Sequence, residues 1–330
     1  MNKIIQQDLQ TIVSAPLPWK VFEGSTVLVT GGAGFLPAYM VETLLYLNRH
    51  VFSRQALVVL FVRNERKALE RFVEYTTLDG LLILERNMSL PIQDYRPYDY
   101  IIHAASPASP ISYLADPIGT IEPNTLGTNN LLRRADSSHS KGFLFFSSGD
   151  ADLPIDPLDL RACYGESKRM GETMCAAWHR QFGVPAKIVR ISHTYGPGMR
   201  LDDGRVFADF TRDILNGGPI VLNSDGSAHR AFLYLAEATV AFFTVLLKGE
   251  PAKAYNVANP YSYTSIADLA KRLGVWFNIP VERRGEKIDT PIPRAVEGTG
   301  PYDITLLKAL GWNPSVMIEQ GFARTVESYR

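Results

Sequence analysis

Short apolar runs alternate with longer mixed stretches over roughly the first 195 residues of this chain. Several of the runs are rich in β-branched residues, which is typical of strands buried on both faces of a parallel sheet. The predicted strands cover 27–29, 56–62, 81–84, 100–103, 142–147 and 186–191, and the predicted helices lie around 38–48, 65–75, 120–136 and 164–182. This alternation predicts an α/β fold, a doubly wound parallel sheet with right-handed crossovers.

The same pattern divides the chain into three segments. Residues 1–24 predict a short lead-in helix followed by a proline-containing link, and residues 25–195 predict the domain that contains the parallel sheet. Beyond residue 195 the pattern becomes irregular and rich in Gly and Pro. We expect 196–330 to form mainly a smaller substrate-binding lobe, with some chain returning to the sheet. Such a lobe would close over the carboxyl ends of the strands, where open α/β sheets bind ligands.

The first strand runs directly into a glycine-rich turn, TGGAGF at 30–35. Gly31 and Gly34 let the backbone turn tightly and approach a phosphate, and the following helix start supplies free N–H groups. A turn of this kind between a strand and a helix predicts a dinucleotide site, the alternative being an ordinary tight turn. Pro37 replaces the third glycine of the fingerprint. Because proline is tolerated in a first helical turn, we expect an altered site that still functions.

Tyr164 and Lys168 lie four residues apart and therefore share one helix face. An ammonium beside a phenol lowers the phenol's pKa and makes it a usable base near neutral pH. Ser148, at the end of the fifth strand, would hydrogen-bond the substrate oxygen that loses its proton. Tyr-x-x-x-Lys alone also fits a solvated helix face, but the glycine-rich turn upstream favours catalysis with hydride transfer to nicotinamide.

These features belong to a series of longer motifs. They are TGGAGF (30–35), HAASPASP (103–110), NTLGTNNLL (124–132), RACYGESKRMGET (161–173), RISHTYGPGMRLDDGRV (190–206), HRAFLYLAEA (229–238), YNVANP (255–260) and DITLLKALGWNP (303–314). With them the chain resembles the extended short-chain dehydrogenases/reductases (the NAD-dependent epimerase/dehydratase family), and within them the UDP-glucuronate decarboxylase branch. The resemblance implies a Rossmann fold, NAD or NADP as cofactor, and a nucleoside-diphosphate sugar, preferably a UDP-sugar, as substrate.

The resemblance also implies roles for individual residues. Catalysis falls to Ser148, Asp150, Tyr164 and Lys168. The residues that it implies for cofactor binding are Gly31, Gly34, Phe35, Leu36, Arg63, Asn64, Ala104, Ala105, Asn124, Tyr164, Lys168 and Ile191. Asn124 would also support the catalytic helix. Substrate binding falls to Ser148, His193, Arg205 and Arg230. The two arginines would hold the diphosphate, since guanidinium groups match phosphate oxygens, and the alternative for each is a surface ion pair.

Asp150 bears most directly on the reaction. It stands where the decarboxylases carry a glutamate, and where sugar 4,6-dehydratases carry the second acid of a pair whose first position is Gly149 here. A single carboxylate argues against elimination across carbons 5 and 6, whereas oxidation of a uronate at carbon 4 makes a β-keto acid that loses carbon dioxide readily. We expect a UDP-glucuronate decarboxylase-like enzyme. Epimerisation at carbon 4, 4,6-dehydration and reduction of a 4-keto-6-deoxy sugar remain alternatives, and Asp150 as a mere loop carboxylate or helix cap is another.

Other positions depart from the branch's pattern. The segment from Ser148 to Tyr164 is short, so a substrate-covering element is trimmed. His193 replaces an asparagine, and we expect it to act as a hydrogen-bonding group and not as an acid or base. Arg63 stands where NAD-binding members carry an acid, and a guanidinium there favours NADP compatibility, the alternative being an exposed basic loop.

The alternative to an enzyme is a non-catalytic protein that senses a dinucleotide.

The amino-acid composition limits the kinds of molecules that the protein is expected to bind. Lys+Arg and Asp+Glu both number 34, and this balance argues against an electrostatic nucleic-acid surface. Two cysteines and six scattered histidines suggest no disulfide framework and no metal site. The N-terminus lacks a secretory segment, and no apolar run approaches the roughly 18 residues of a membrane span. We therefore expect a cytoplasmic protein, paired as a homodimer through the helices around 120–136 and 164–182, as extended members often pair.

Overall fold

A computed structural model describes residues 2–75, 77–284 and 302–330, without the side chain of Leu78. Twelve strands lie within these ranges. They are β1 (Thr26–Thr30), β2 (Leu57–Val62), β3 (Leu81–Glu85), β4 (Tyr100–His103), β5 (Gly142–Ser148), β6 (Ala186–Ile191), β7 (His193–Tyr195), β8 (Ile220–Leu222), β9 (His229–Tyr234), β10 (Ala254–Val257), β11 (Tyr263–Ser265) and β12 (Val281–Arg283).

Seven of these strands form the central sheet, in the order β10-β6-β5-β4-β1-β2-β3, and all neighbours are parallel. The six predicted strands are all present, with bounds shifted by at most one residue at either end. The seventh, β10, comes from the second half of the chain and pairs beside β6, with Ala254 opposite Ile188. The predicted doubly wound parallel sheet is therefore confirmed. Two smaller sheets, β11-β9-β7 and β12-β8, complete the second half.

Twelve α-helices also lie among the described residues. They are α1 (Lys3–Val13), α2 (Phe35–His50), α3 (Glu65–Arg71), α4 (Pro110–Ala115), α5 (Pro117–Glu122), α6 (Thr128–Ser137), α7 (Ala162–Phe182), α8 (Val206–Leu215), α9 (Leu235–Lys248), α10 (Ile266–Phe277), α11 (Thr305–Ala309) and α12 (Ile318–Glu327). The helix predicted around 120–136 is divided, because a π-helical turn at Pro123–Gly127 separates α5 from α6. Proline lacks the N–H that a regular helix would need at that point.

The sheet is buried on both faces, which explains the continuous apolar runs. Val27 and Val29 of β1 pack into one hydrophobic cluster, while Leu28 between them packs into the other. Successive residues of a strand point to opposite faces, so a strand covered on both sides needs apolar residues at every position.

A buried carboxylate fastens the lead-in helix α1 to the rest of the molecule. Asp8 accepts hydrogen bonds from the hydroxyls of Tyr39 at 3.0 Å and Tyr234 at 2.7 Å. Its other oxygen pairs with Arg324 of α12 at 2.6 Å. Burial raises the pKa of Asp8, and the hydrogen bonds with the arginine charge oppose that rise. Helix α1 thereby joins α2, β9 and α12.

Candidate active site

A cleft of about 700 Å³ opens at the carboxyl ends of the central strands. Its wall on the sheet side consists of residues that follow β1, β4, β5 and β6, and the second half of the chain supplies the opposite wall. The predicted site residues that line it are Gly34, Phe35, Leu36, Ala104, Ser148, Asp150, Tyr164, Lys168, Ile191, His193, Arg205 and Arg230. A cavity of this size and position suits a small-molecule site.

The glycine-rich turn lies at one end of the cleft. Gly31 has φ of +66°, and a Cβ at this position would come within 2.8 Å of the Cα of Ala105, so only glycine fits. The first hydrogen bond of α2 runs from the N–H of Ala38 to the carbonyl of Gly34 at 3.0 Å. The N–H groups of Phe35 and Leu36 therefore precede the intrahelical bonds and suit the pyrophosphate of a dinucleotide. Pro37 sits in this first turn, where its missing N–H costs nothing.

A buried histidine supports this end of the site from behind. His103 ends β4 and bonds through Nδ1 to the Thr30 hydroxyl at 2.8 Å and through Nε2 to the carbonyl of Pro123 at 3.1 Å. Since a carbonyl only accepts, Nε2 carries the proton and Nδ1 accepts from Thr30. The same hydroxyl accepts from the N–H of Ala105 at 3.2 Å, which places that predicted cofactor residue. Burial and the nearby Lys168 charge lower the pKa of His103 to about 3, so the ring is neutral.

Asn124 lies behind the cleft wall and is fully buried. Its amide donates to the carbonyl of Thr120 and to the hydroxyl of Ser167, both at 3.0 Å. Ser167 precedes Lys168 on α7, so the π-helical turn holds the helix that carries the Tyr164–Lys168 pair. This contact fits the predicted buttress.

Tyr164 and Lys168 both project from α7 and are almost completely buried. The Lys168 ammonium donates to the carbonyl of Phe146 at 2.6 Å and lies 5.8 Å from the centre of the Tyr164 ring. Burial lowers the pKa of Lys168 to about 7. Burial, reinforced by the Asp150 carboxylate, raises the pKa of Tyr164 against the opposing hydrogen bond with Ser148. Burial thus sets the direction of the Tyr164 pKa in the protein without cofactor, and the lowering expected from Lys168 stays a prediction for the cofactor-bound enzyme.

Asp150 lies in a single helical turn, Gly149–Asp152, that directly follows β5. Its N–H donates to the hydroxyl of Ser148 at 3.2 Å. Burial raises the pKa of Asp150, while the Arg230 charge and the Ser148 hydrogen bond lower it. The carboxyl group thus faces the cleft beside both Ser148 and Tyr164 and does not serve as a helix cap.

Two arginines hold the short segment that follows Asp150. Arg169 of α7 donates to the carbonyls of Ala151 at 2.8 Å and Leu153 at 2.9 Å. Arg190 of β6 pairs with Asp152 and, at 2.6 Å, with Glu172. The trimmed segment is therefore fastened on both sides, which no sequence motif indicated.

Three of the predicted substrate residues, His193, Arg205 and Arg230, come from the chain after β6, and the fourth, Ser148, ends β5. His193 on β7 is neutral, because burial lowers its pKa to about 3 with help from the Arg230 and Arg205 charges. Arg205 contacts the Asp203 carboxylate through Nε at 2.7 Å, so an ion pair does hold its guanidinium at the cleft wall. Arg230 on β9 donates to the carbonyl of His229 at 2.6 Å.

Arg63 and Asn64 lie away from these residues. Both are exposed at the end of β2, and the Asn64 side chain accepts from the N–H of Lys67 at 2.9 Å, which caps α3. Neither lines the cleft. Three tyrosines that sequence reasoning missed do line it, namely Tyr113 on α4, Tyr263 on β11 and Tyr302 just before α11. All three lie beside motifs and could have been found there: Tyr113 follows HAASPASP by three residues, Tyr263 follows YNVANP by three residues, and Tyr302 directly precedes DITLLKALGWNP.

Two further findings concern the described residues alone. They contain no group of three or more His, Cys, Asp or Glu side chains that could hold a metal ion. None of their helices is long and apolar enough to cross a membrane.

The parallel sheet and the glycine-rich turn at its centre define a dinucleotide-binding α/β protein. The chain belongs to the NAD dependent epimerase/dehydratase family, whose profile matches residues 27–258. This result confirms the family resemblance, the enzyme class and the NAD-type cofactor. The family description does not test NADP, which stays a prediction.

Individual relatives extend the likeness over almost the whole chain. UDP-glucuronic acid decarboxylase 1 of Xenopus tropicalis is 31% identical over 319 residues, covering 92% of this chain and 72% of that protein. UDP-glucuronic acid decarboxylase 6 of Arabidopsis thaliana is 29% identical over 317 residues, covering 92% and 88%. The crystal structure of the Bordetella bronchiseptica enzyme WbmF in complex with NAD+ and UDP is 26% identical, with a TM-score of 0.74 and coverage of 94% and 93%.

Proposed function

We propose that this protein oxidises carbon 4 of UDP-glucuronate with bound NAD, decarboxylates the keto sugar and reduces it again. One observation carries the proposal: Ser148, Tyr164 and Lys168 share a cleft with Asp150, while position 149 is a glycine. The two decarboxylase relatives, at 29% and 31% identity, support the same reaction.

The cofactor would lie between the glycine-rich turn and α7. The N–H groups of Phe35 and Leu36 would bind its pyrophosphate, and Ala104 and Ile191 would line its path across the strand ends. When bound there, NAD would supply the hydride acceptor for carbon 4, and its positively charged ring would lower the pKa of a neighbouring phenol. That charge would offset the burial that raises the pKa of Tyr164.

The side chains would move the protons. Tyr164 takes the proton of the carbon-4 hydroxyl while Ser148 holds its oxygen, and the resulting ketone lies β to the carboxylate. The bond between carbons 5 and 6 then breaks, carbon dioxide leaves, and the electron pair passes to the carbon-4 oxygen. Asp150 would donate a proton to carbon 5, which restores the ketone. When carbon 4 is then reduced by the returning hydride, Tyr164 would give its proton back to the carbon-4 oxygen. Burial raises the pKa of Asp150, which favours its protonated form more than in an exposed carboxyl group.

The nucleotide end of the substrate would contact the second half of the chain. Arg205 and Arg230 both line the cleft and would bind the diphosphate oxygens. Since Asp203 already holds Arg205, little side-chain freedom would be lost when the substrate binds. Neutral His193 would donate or accept a hydrogen bond without changing its charge.

The direct test is incubation of the purified protein with UDP-glucuronate carrying a labelled carboxyl carbon. We expect release of labelled carbon dioxide together with a UDP-pentose, identified by mass spectrometry. Formation of an isomeric UDP-uronate without gas release would replace decarboxylation with carbon-4 epimerisation. An unchanged substrate would rule out both.

The proposal includes a cytoplasmic homodimer. Large apolar side chains stand exposed on the surface of α5, the π-helical turn and α7, with exposed fractions of 62% for Ile118, 51% for Leu126 and 48% for Met170. These elements belong to the predicted pairing helices. Association of two copies would remove this apolar surface from water.

A further inference from the structure

The phenol of Tyr302 fills the space beside Gly149. A Cβ built on Gly149 would come within 2.9 Å of the Tyr302 hydroxyl and 3.2 Å of its Cε1. Real Cβ atoms essentially never come closer than 3.0 Å to another heavy atom, so a side chain at position 149 would require the phenol to move. The family resemblance places position 149 where sugar 4,6-dehydratases would carry their first acid. In this chain a tyrosine from a distant segment occupies that place.

The backbone that carries Tyr302 is anchored to the sheet. The amide of Asn256 on β10 donates to the carbonyl of the next residue, Asp303, at 2.9 Å. The Asp303 carboxylate accepts from the N–H of Thr305 at 2.9 Å and so closes the start of α11. Tyr302 itself is half-buried and packs against the main hydrophobic cluster. The backbone beside Tyr302 and the packing of its ring therefore place the phenol at the cleft wall.

Charged groups flank this hydroxyl. Burial raises the pKa of Tyr302, the nearby Asp150 carboxylate raises it further, and Arg230 lowers it. The phenol consequently keeps its proton at neutral pH. It presents a hydrogen-bond donor to the cleft on the side where Asp150 lies.

We propose that Tyr302 donates a hydrogen bond to the carboxylate of the substrate's uronic acid and thereby selects UDP-glucuronate over UDP-glucose. The inference rests on the proposed function, which places carbons 5 and 6 of the sugar near Asp150. An acid at position 149 would repel a uronate carboxylate, whereas a phenol attracts it. Gly149 is then required, because any side chain there would displace the donor.

The first test measures binding by calorimetry to the NAD-loaded enzyme in a Tyr164→Phe background, which prevents turnover, with UDP-glucuronate, UDP-glucose and UDP as probes. We expect Tyr302→Phe to weaken UDP-glucuronate binding about tenfold and to leave the other two probes unchanged, since it removes one hydrogen bond to a charged group. Tyr261→Phe is the matched control, because Tyr261 is 69% exposed and lies outside the cleft lining. Equal weakening for all three probes, or none for any, would overturn the inference.

The second test uses Gly149 and Tyr302 together. Gly149→Ala should reduce the preference for UDP-glucuronate in the wild-type background, because the added methyl group pushes the phenol aside. In the Tyr302→Ala background the same change should have little effect, since the space is open. Independent, additive effects would contradict the proposal.

The outcomes separate the two proposals. Selective binding of UDP-glucuronate that depends on Tyr302, without release of carbon dioxide, would contradict the proposed decarboxylase activity but support the proposed Tyr302 hydrogen bond. Release of carbon dioxide by the wild-type protein, with unaltered UDP-glucuronate binding by Tyr302→Phe, would support the decarboxylase activity and contradict the proposed hydrogen bond.

Discussion

The ring of Tyr113 lies parallel to the ring of Tyr164, with 5.3 Å between the ring centres and 9° between the planes. Tyr113 belongs to α4 and Tyr164 to α7, so the two helices hold the stack from opposite sides. A ring packed on one face has little freedom to swing. The contact therefore keeps the Tyr164 hydroxyl directed towards Ser148.

Because the two rings are stacked, Tyr113 provides a matched control for testing Tyr164 as the general base. Tyr164→Phe preserves the stack and removes the hydroxyl, so we expect carbon dioxide release from UDP-glucuronate to fall by about 10²-fold or more. Tyr113→Phe preserves both the stack and the Tyr164 hydroxyl and should retain most of the activity. Single-turnover release of labelled gas measures both variants. Undiminished turnover by Tyr164→Phe would defeat the mechanism.

A substitution of Gly31 tests whether the glycine-rich turn binds the cofactor. Gly31→Ala forces an alanine into φ of +66° and brings its Cβ to 2.8 Å from the backbone of Ala105. We expect loss of NAD binding, measured by fluorescence titration. Gly183→Ala is the control, because Gly183 has φ of +75° with open space around its Cβ position. It should lose about 1–2 kcal/mol of stability and bind NAD normally. Equal NAD affinity of the two variants would argue against a cofactor role for the turn.

His103 predicts how stability depends on pH. Its pKa in the folded protein is about 3, below the ordinary value of 6.5, so the unfolded chain binds more protons between these values. The stability that it contributes is complete above pH 6.5 and is lost as the pH falls towards 3. At about pH 4 the loss amounts to about 3 kcal/mol in the free energy of unfolding.

Urea unfolding of the His103→Gln variant measures this contribution. The variant lacks the titrating group, so its free energy of unfolding should decline less steeply between about pH 7 and pH 4 than that of the wild type. His50→Gln, at an exposed position, serves as the control and should keep the wild-type slope. Identical slopes for all three proteins would show that His103 is not a neutral buried group.

The dimer surface can be tested with one charge. Leu126→Glu places a carboxylate in the exposed apolar surface of α5, the π-helical turn and α7, and should shift the light-scattering mass at micromolar concentration from dimer to monomer. Leu158→Glu is the control, because Leu158 is 92% exposed but lies outside these elements. A wild-type protein that is already monomeric would contradict the proposed assembly.

Cofactor choice has a simple readout. Arg63 is exposed at the end of β2, where its guanidinium would attract a 2′-phosphate. We expect NADP as well as NAD to bind, with Arg63→Ala losing affinity for NADP only. Titration with both dinucleotides measures this. Equal loss for both would reduce Arg63 to a basic loop residue.

The sequence by itself determined the sheet and the cofactor end of the cleft. A parallel strand covered on both faces is apolar at every position, so it can be recognised from a short stretch of sequence. The strand–glycine–helix order at Thr26–His50 is also formed by neighbouring residues and can be recognised in the same way. The spacing of Tyr164 and Lys168 is also local, because one turn of helix places them on one face.

Only the tertiary structure decided the contacts between distant segments. Tyr302 reaches Gly149 across half the chain, and Arg169 and Arg190 fasten the short turn after Asp150. The pKa of Tyr164 likewise followed from burial, which depends on what α4 and β5 pack against it. Such relationships arise when separate elements meet. No pattern of neighbouring residues records them.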